Sequence, residues 1–323
     1  MKTRAMTSIL PLVLSLAASA CAPKGHVTEP QFENGQYTFA DPDQAADALK
    51  DAVEKQDKQE LARIFGPQSG EVISSGDEYE DQETMRAFAK AMDEKVKVVE
   101  TENANPALKN QQIAFLVVGD QEYPFPIAMF RQANGWRFDT EVGKHEIIDR
   151  RIGRNEIRAI KFLNQYVDAQ NRYRAMTIKD GKPPQFARKF FSSPGKHDGL
   201  YWEEEKGKPM SPLGPLVAAA SDEGYSLNAL KAPIPYDGYR FDILTRQGAK
   251  ARGGAMSYLD GNGRMSRGFA LIAYPAYYGV GGVVTFMVGP DGVIYQKNLG
   301  SKTTEIARTI QSFDPDLSWV PVR

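Results

Sequence analysis

The only cysteine of the chain, Cys21, stands directly behind a short apolar run at the N-terminus, and that limits how everything after it can be held together. A lone cysteine rules out both an intramolecular disulfide framework and a thiolate zinc site. The fold must therefore rest on buried apolar surface. With 323 residues, 41% of them hydrophobic, the chain can bury a sizeable core. At roughly 100 to 200 residues per domain, two domains are expected.

The run itself reads as an export signal over residues 1–20. Lys2 and Arg4 give a positive start, and Ile9 to Ala18 is apolar apart from Ser15. Ten helical residues cover about 15 Å, half of a hydrocarbon core of about 30 Å, so this is a signal h-region and not a membrane span. Leu16-Ala17-Ala18-Ser19-Ala20-Cys21 resembles a bacterial lipobox, with Ala18 where Leu is usual. Lipidation of Cys21, with palmitate-type acyl chains, is the expectation. Ala18-Ser19-Ala20 equally suits ordinary signal peptidase, which would leave a free N-terminal thiol. Ala22 follows the cysteine and no Asp is there to retain the protein at the inner membrane. The expected location is the periplasmic face of the outer membrane, and otherwise the periplasm or the medium. Residues 21–38 are polar, with Pro23, Gly25, Pro30 and Gly35, and read as a flexible tether.

Two α+β domains are expected beyond it, over 39–150 and 151–323. Asp41-Pro42 starts a helix carried on by Ala45, Ala46, Leu49 and Val53; Asp57 with Glu60 starts a second, stopped at Gly66-Pro67. A third runs from about Glu83 to Lys95. The period then changes, with a strand at Ile113 to Val118, an apolar run at Tyr123 to Phe130 that Pro124 and Pro126 confine to a sheet edge, and Trp136 to Asp139 after Gly135. Helices packed on an antiparallel sheet follow, in an order similar to cone-like folds of the nuclear-transport-factor-2 type. The second domain opens with an amphipathic helix from Asn155 to Tyr173, entered through a joint at Arg150 to Arg154. A Pro- and Gly-rich stretch follows, and then strands at Tyr239 to Thr245, Gly268 to Ala273, Val283 to Val288 and Val293 to Gln296. The tail is expected to dock through Trp319.

Several runs carry a family likeness. They include Ile73-Ser74-Ser75-Gly76-Asp77, Tyr123-Pro124-Phe125-Pro126-Ile127, Gly135-Trp136-Arg137-Phe138-Asp139-Thr140 and Arg151-Ile152-Gly153-Arg154-Asn155-Glu156. Asp198-Gly199-Leu200-Tyr201-Trp202, Ser211 to Leu216, Gly238-Tyr239-Arg240-Phe241 and Val293 to Lys297 continue the series in order. In these the chain resembles the bacterial exported family called domain of unknown function 2950, over nearly all of its mature length. The resemblance implies export and no assigned activity. A fainter one links the C-terminal half to the globular heads of type IV pilins and pseudopilins, where a long helix lies across an antiparallel sheet. It is carried by Asn155-Glu156, Ala159-Ile160, Leu163, Ala169 to Tyr173, Gly238 to Phe241, Phe286 to Val288 and Asp291 to Ile294. No apolar pilin helix precedes Asn155, so polymerisation of that kind is not implied.

Chemistry is sparse. With 40 Lys and Arg against 41 Asp and Glu, the net charge is −1, so no basic face is expected to displace counterions from nucleic acid. The three histidines, His26, His145 and His197, show no triad spacing, and neither a G-x-S-x-G elbow, a Walker loop nor an H-E-x-x-H motif occurs. No catalytic residue, metal ligand or cofactor is therefore expected. Asp260-Gly261-Asn262-Gly263 starts like a calcium loop, but Leu271 occupies the place of the bidentate Glu, and a hairpin turn is the better reading. Asp139, Glu156 and Asp198 are the carboxylates for a hydrolytic alternative. Tyr123, Phe125, Tyr201, Trp202, Tyr277 and Tyr278 are the candidates for a protein-docking surface, since aromatic faces give large contact area at low entropic cost. Phe115, Met129 and Trp136, with Phe125, are the candidates for a small-ligand pocket in the N-terminal cone. A non-enzymatic support or recruitment module, anchored by its lipid and engaging another envelope protein, is the function expected. A small-ligand binder is the alternative.

Overall fold

Asp side chains set where the first helices begin. In the computed structural model, which describes residues 29–102, 112–204, 206–207, 209–232 and 234–322, short strands β1 (Gln31–Glu33) and β2 (Gln36–Thr38) come first. They pair around Asn34-Gly35, both at positive φ, the two-residue turn that matches strand twist. The expected tether thus ends as a folded hairpin, because Gln36 is buried and donates to the carbonyls of Ile64 and Phe138 at 3.0 and 2.8 Å. The signal, Cys21 and the tether up to residue 28 lie outside the described residues.

Helix α1 (Pro42–Glu54) is capped by Asp41, which accepts the Gln44 N–H at 2.8 Å; α2 (Lys58–Phe65) is capped by Asp57, which accepts from Gln59 and Glu60. After α3 (Gly70–Ile73), Asp77 caps α4 (Glu78–Glu94), which starts five residues before the expected Glu83. Strands β3 (Val96–Glu102), β4 (Gln112–Val118), β6 (Met129–Gln132) and β7 (Gly135–Phe138) form an antiparallel sheet in that order, and β5 (Tyr123–Pro124) pairs only with β4. Ala114, Leu116 and Val118 face the helices, with Met129, Trp136 and Phe138 beside them in one core.

Helix α5 spans Thr140–Lys179, 40 residues and so about 60 Å. The joint expected at Arg150 to Arg154 is helical, and the boundary expected at 150/151 falls inside this rod. Gly153 does not break it, since a helical glycine costs only about 1 kcal/mol and Arg151 and Asn155 on either side are buried. Gly143 is there for space: a Cβ would lie 2.6 Å from the Cα of Ile127.

Helices α6 (Gly214–Asp222) and α7 (Leu227–Lys231) follow a long loop region. Strand β8 (Tyr239–Leu244), the two-residue pair β9 (Arg246–Gln247) and β10 (Met256–Ser257), then β11 (Ala270–Pro275), β12 (Val284–Val288) and β13 (Ile294–Asn298) come next. Helix α8 (Thr303–Thr309) and β14 (Val320–Pro321) close the chain. The second sheet is antiparallel in the order β14-β13-β12-β11-β8. All six residues of β11 are buried, because α5 and α8 both pack on this strand. The α5 stripe Ala159, Phe162, Leu163, Tyr166, Ala169 and Tyr173 enters a second core, separate from the first, in which Trp319 is also buried. The protein is thus α+β: N-terminal helices with one antiparallel sheet, and a long helix with another.

Candidate functional site

Strand β8 is the open edge of the second sheet, and the ladder dictates which of its groups face outwards. Tyr239 exchanges both backbone hydrogen bonds with Tyr236, at 2.9 and 3.0 Å, while Pro275, its partner on β11, has no N–H to offer. In an antiparallel pair the bonded and non-bonded positions alternate. Phe241 and Ile243 therefore turn their N–H and C=O groups away from β11, and no described residue takes them.

A cavity of about 570 Å3 opens along this edge. Its apolar end is aromatic: the Phe162 ring of α5 lies 4.1 Å from Phe241, 6.1 Å from Phe190 and 6.0 Å from Tyr236. Tyr201 stands edge-on to Phe191 and closes another wall. Both rings hang on a loop fixed by Asp198, which accepts the Ser193 N–H and binds Lys189, each at 2.8 Å. Gly199 is needed there, since a Cβ would meet the Phe191 backbone at 2.7 Å. The polar end comes from the other face of the sheet. Tyr274 donates to Asp242 at 3.1 Å beside Arg308 and Arg240. Burial, with Asp242 next to it, raises the Tyr274 hydroxyl above its ordinary value, so it stays a donor. Lys231 and Arg308 line the cavity against the one carboxylate Asp242, which favours an acidic occupant. A shallower cavity that shares Asp242 and Arg308 continues past Ile243 and Leu244.

The two domains meet through buried polar groups. Asp77 accepts the Tyr225 hydroxyl at 2.7 Å and the Gly238 N–H at 3.3 Å. Burial pushes Asp77 up to about 6, against these donors. Glu80 accepts from Arg154 at 3.0 Å and from Asn155 at 3.2 Å, and Asn155 also donates to the Gly281 carbonyl. Arg158 binds Asp237 at 2.5 Å. Burial works against the Arg158 charge, but Asp237 outweighs it and keeps the guanidinium protonated. Every one of these carboxylates is satisfied by protein groups, which marks the cluster as a joint.

A smaller hollow of about 210 Å3 lies in the N-terminal domain, between its helices and the first half of α5. Phe125 lines it, but the other three residues expected to form a pocket do not. Met129 and Trp136 are 0% and 3% exposed and belong to the core, while Phe115 sits on the opposite face of β4 from Ala114 and Leu116. A strand has two faces, and only the alternate positions of β4 reach the helices.

The six aromatics expected on a docking surface are dispersed. Tyr123, 46% exposed, lies under the Arg150 guanidinium at 4.6 Å, and Phe125 is buried among Phe65, Phe88 and Phe138. Tyr201 reaches the cavity beside β8. Trp202 is buried and stacked on His197 at 4.4 Å. Tyr277, 51% exposed, covers Gly76 across the joint, and Tyr278 bridges to Gly282. The three carboxylates have separate structural work. Asp139 caps α5, Glu156 accepts the N–H groups of Val283 and Val284 at 3.1 Å, and Asp198 fixes its loop. No two of them share a partner. Asp260 accepts from Asn262 and Arg264 within its own turn. His145 is exposed on α5. Among the described residues, no three His, Cys, Asp or Glu side chains converge in a group that would hold a metal, and no helix is long and apolar enough to cross a membrane.

The residues of the β8 cavity were readable only in part. Aromatic spacing in Tyr236-Asp237-Gly238-Tyr239-Arg240-Phe241 marks a turn into a strand, but nothing local says that this strand ends a sheet. No curated protein and no solved structure matches the chain. The profile described as Protein of unknown function (DUF2950) matches residues 36–322, nearly the whole chain and both of the cores described above, and the protein belongs to that family.

Proposed function

We propose that the protein is a non-catalytic binding module of the bacterial envelope. Exported and lipid-anchored at Cys21 on the periplasmic face of the outer membrane, it would hold an extended segment of another envelope protein along β8. The observation that carries this reading is the outward-facing backbone of Phe241 and Ile243 at the mouth of an aromatic cavity. A strand added there would gain main-chain hydrogen bonds and place alternate side chains into the Phe162, Phe190 and Tyr236 wall and beside Arg240 and Arg308. The segment it fits alternates aromatic or aliphatic anchors with acidic residues. The likeness to pilin heads belongs to the same reading, as a helix-on-sheet platform without the polymerising helix.

The test is selection of random twelve-residue peptides on the purified protein, followed by affinity measurement with Ile243→Pro and with Arg308→Glu. Ile243→Pro removes one outward N–H while leaving the β11 side of the ladder intact. Enriched peptides with the alternating pattern, bound at least tenfold more weakly by both variants, are expected. Peptides that bind Ile243→Pro as tightly as the parent protein would overturn strand addition. The anchor is tested separately: labelled palmitate is expected to enter the parent protein and to be lost in Cys21→Ser, and export without label would remove the lipid from the proposal.

A further inference from the structure

The hollow of the N-terminal domain is distinct from the β8 cavity in both shape and chemistry. Leu61, Phe65, Val72, Met85, Phe88 and Ile147 make it apolar, and its volume of about 210 Å3 suits a ligand smaller than the drug-sized molecules that fill cavities of about 300–1,000 Å3. Its rim is basic. Arg150, Arg151 and Arg154 stand on one stretch of α5, against a single lining carboxylate, Asp81. Asp81 is already taken up by Lys58, Ser74 and the Ser75 N–H. Arg154 is occupied by Glu80, and Arg151 donates to the carbonyls of Glu71 and Val72 at 2.7 and 2.9 Å.

Arg150 is different. Its Nε bonds Glu146 at 2.5 Å and its guanidinium lies over Tyr123, yet its Nη1 is buried with no hydrogen-bond partner among the described residues. A buried donor of this kind is an unmade bond, and it belongs to a residue that lines the apolar hollow.

We propose that this hollow binds a single-chain amphiphile with one carboxylate head, a medium-chain fatty acid, with the chain among Phe65, Met85 and Phe88 and the carboxylate accepting from Arg150. A multiply charged head is disfavoured, because Arg151 and Arg154 already bond protein groups, which leaves Arg150 to receive the head. The site is independent of the β8 edge, so it stands or falls apart from peptide binding there.

Calorimetric titration of the full chain with decanoate, with decanol, and with vesicles of phosphatidylethanolamine and phosphatidylglycerol tests it. Saturable decanoate binding is expected, at least tenfold tighter than decanol. Arg150→Gln, on a partly exposed rim residue, is expected to weaken decanoate at least fivefold and to leave decanol unchanged. Ile147→Trp, which fills the hollow, is expected to abolish both; should that variant fail to fold, Arg150→Gln still decides. Absence of saturable decanoate binding, equal decanoate affinity in Arg150→Gln, or binding of the vesicles alone would each overturn the proposal.

Discussion

The two stretches of α5 do opposite things with the same backbone. From Arg151 to Arg158 the helix crosses between the domains and is held by charge and hydrogen bonds: Arg151 on two carbonyls, Arg154 and Asn155 on Glu80, Arg158 on Asp237. From Ala159 to Tyr173 it is an apolar stripe sunk into the second core. Apolar burial is non-directional and tolerates sliding, whereas a buried carboxylate accepts only a partner in the right place. The difference teaches where this molecule is merely cohesive and where it is registered. Asp77, Glu80 and Asp237 fix one orientation of the first domain on the second.

The largest effect should come from the apolar stretch. Leu163→Ala empties a fully buried position and is expected to cost about 2–5 kcal/mol. Urea unfolding followed through Trp202 and Trp319, both in the second core, against Trp136 in the first, measures it. A loss confined to the Trp202 and Trp319 transition would show two cores that melt separately; an equal shift at Trp136 would show that the joint welds them into one cooperative unit.

The polar stretch answers to pH instead. Asp77 has a folded value of about 6 against 3.8 ordinarily, so between those values the folded state holds the proton more tightly than the unfolded chain does. Stability from this group therefore rises as pH falls from 6 towards 4, and it is diminished at neutral pH. At about 1.4 kcal/mol per unit, the parent protein should gain up to about 3 kcal/mol on Asp77→Asn between pH 7 and pH 4. Unfolding of both proteins across that range gives the difference directly. An advantage that shrinks on acidification would mean that the Tyr225 and Gly238 donors keep Asp77 ionised and that burial is the lesser influence.

Much of the apolar half of this comparison was legible in the sequence. Ile160, Leu163, Val167 and Tyr173 recur at helical spacing, and Asp41-Pro42 and Asp57 announce their helices by capping chemistry that acts within four residues. The polar half was not. Asp77, Glu80 and Asp237 reach partners between 74 and 161 residues away, and a carboxylate that caps a helix looks the same in sequence whether or not it also reaches another domain. The start of α5 was hidden for a related reason: Arg151 and Asn155 are buried polar residues, so the first half of the helix lacks the apolar period that reveals the second. The open edge of β8 depends on the order of all five strands, and the hollow behind Tyr123 on how five helices pack.

The smallest expected effect bears most directly on the join between the two stretches. Gly153 sits where a flexible hinge and a continuous rod make different demands. In the rod its φ is not in the left-handed region, and a Cβ would meet nothing within 4 Å. Alanine there keeps the helix and reduces the freedom of the unfolded chain, so Gly153→Ala is expected to stabilise the protein by about 0.4–1 kcal/mol. Thermal unfolding would register this as a rise of a few degrees at most. A hinge that bends at this residue would reverse the sign, since alanine would oppose the bend, strain the contacts of the adjacent Arg154 and Asn155 to Glu80, and lower the midpoint.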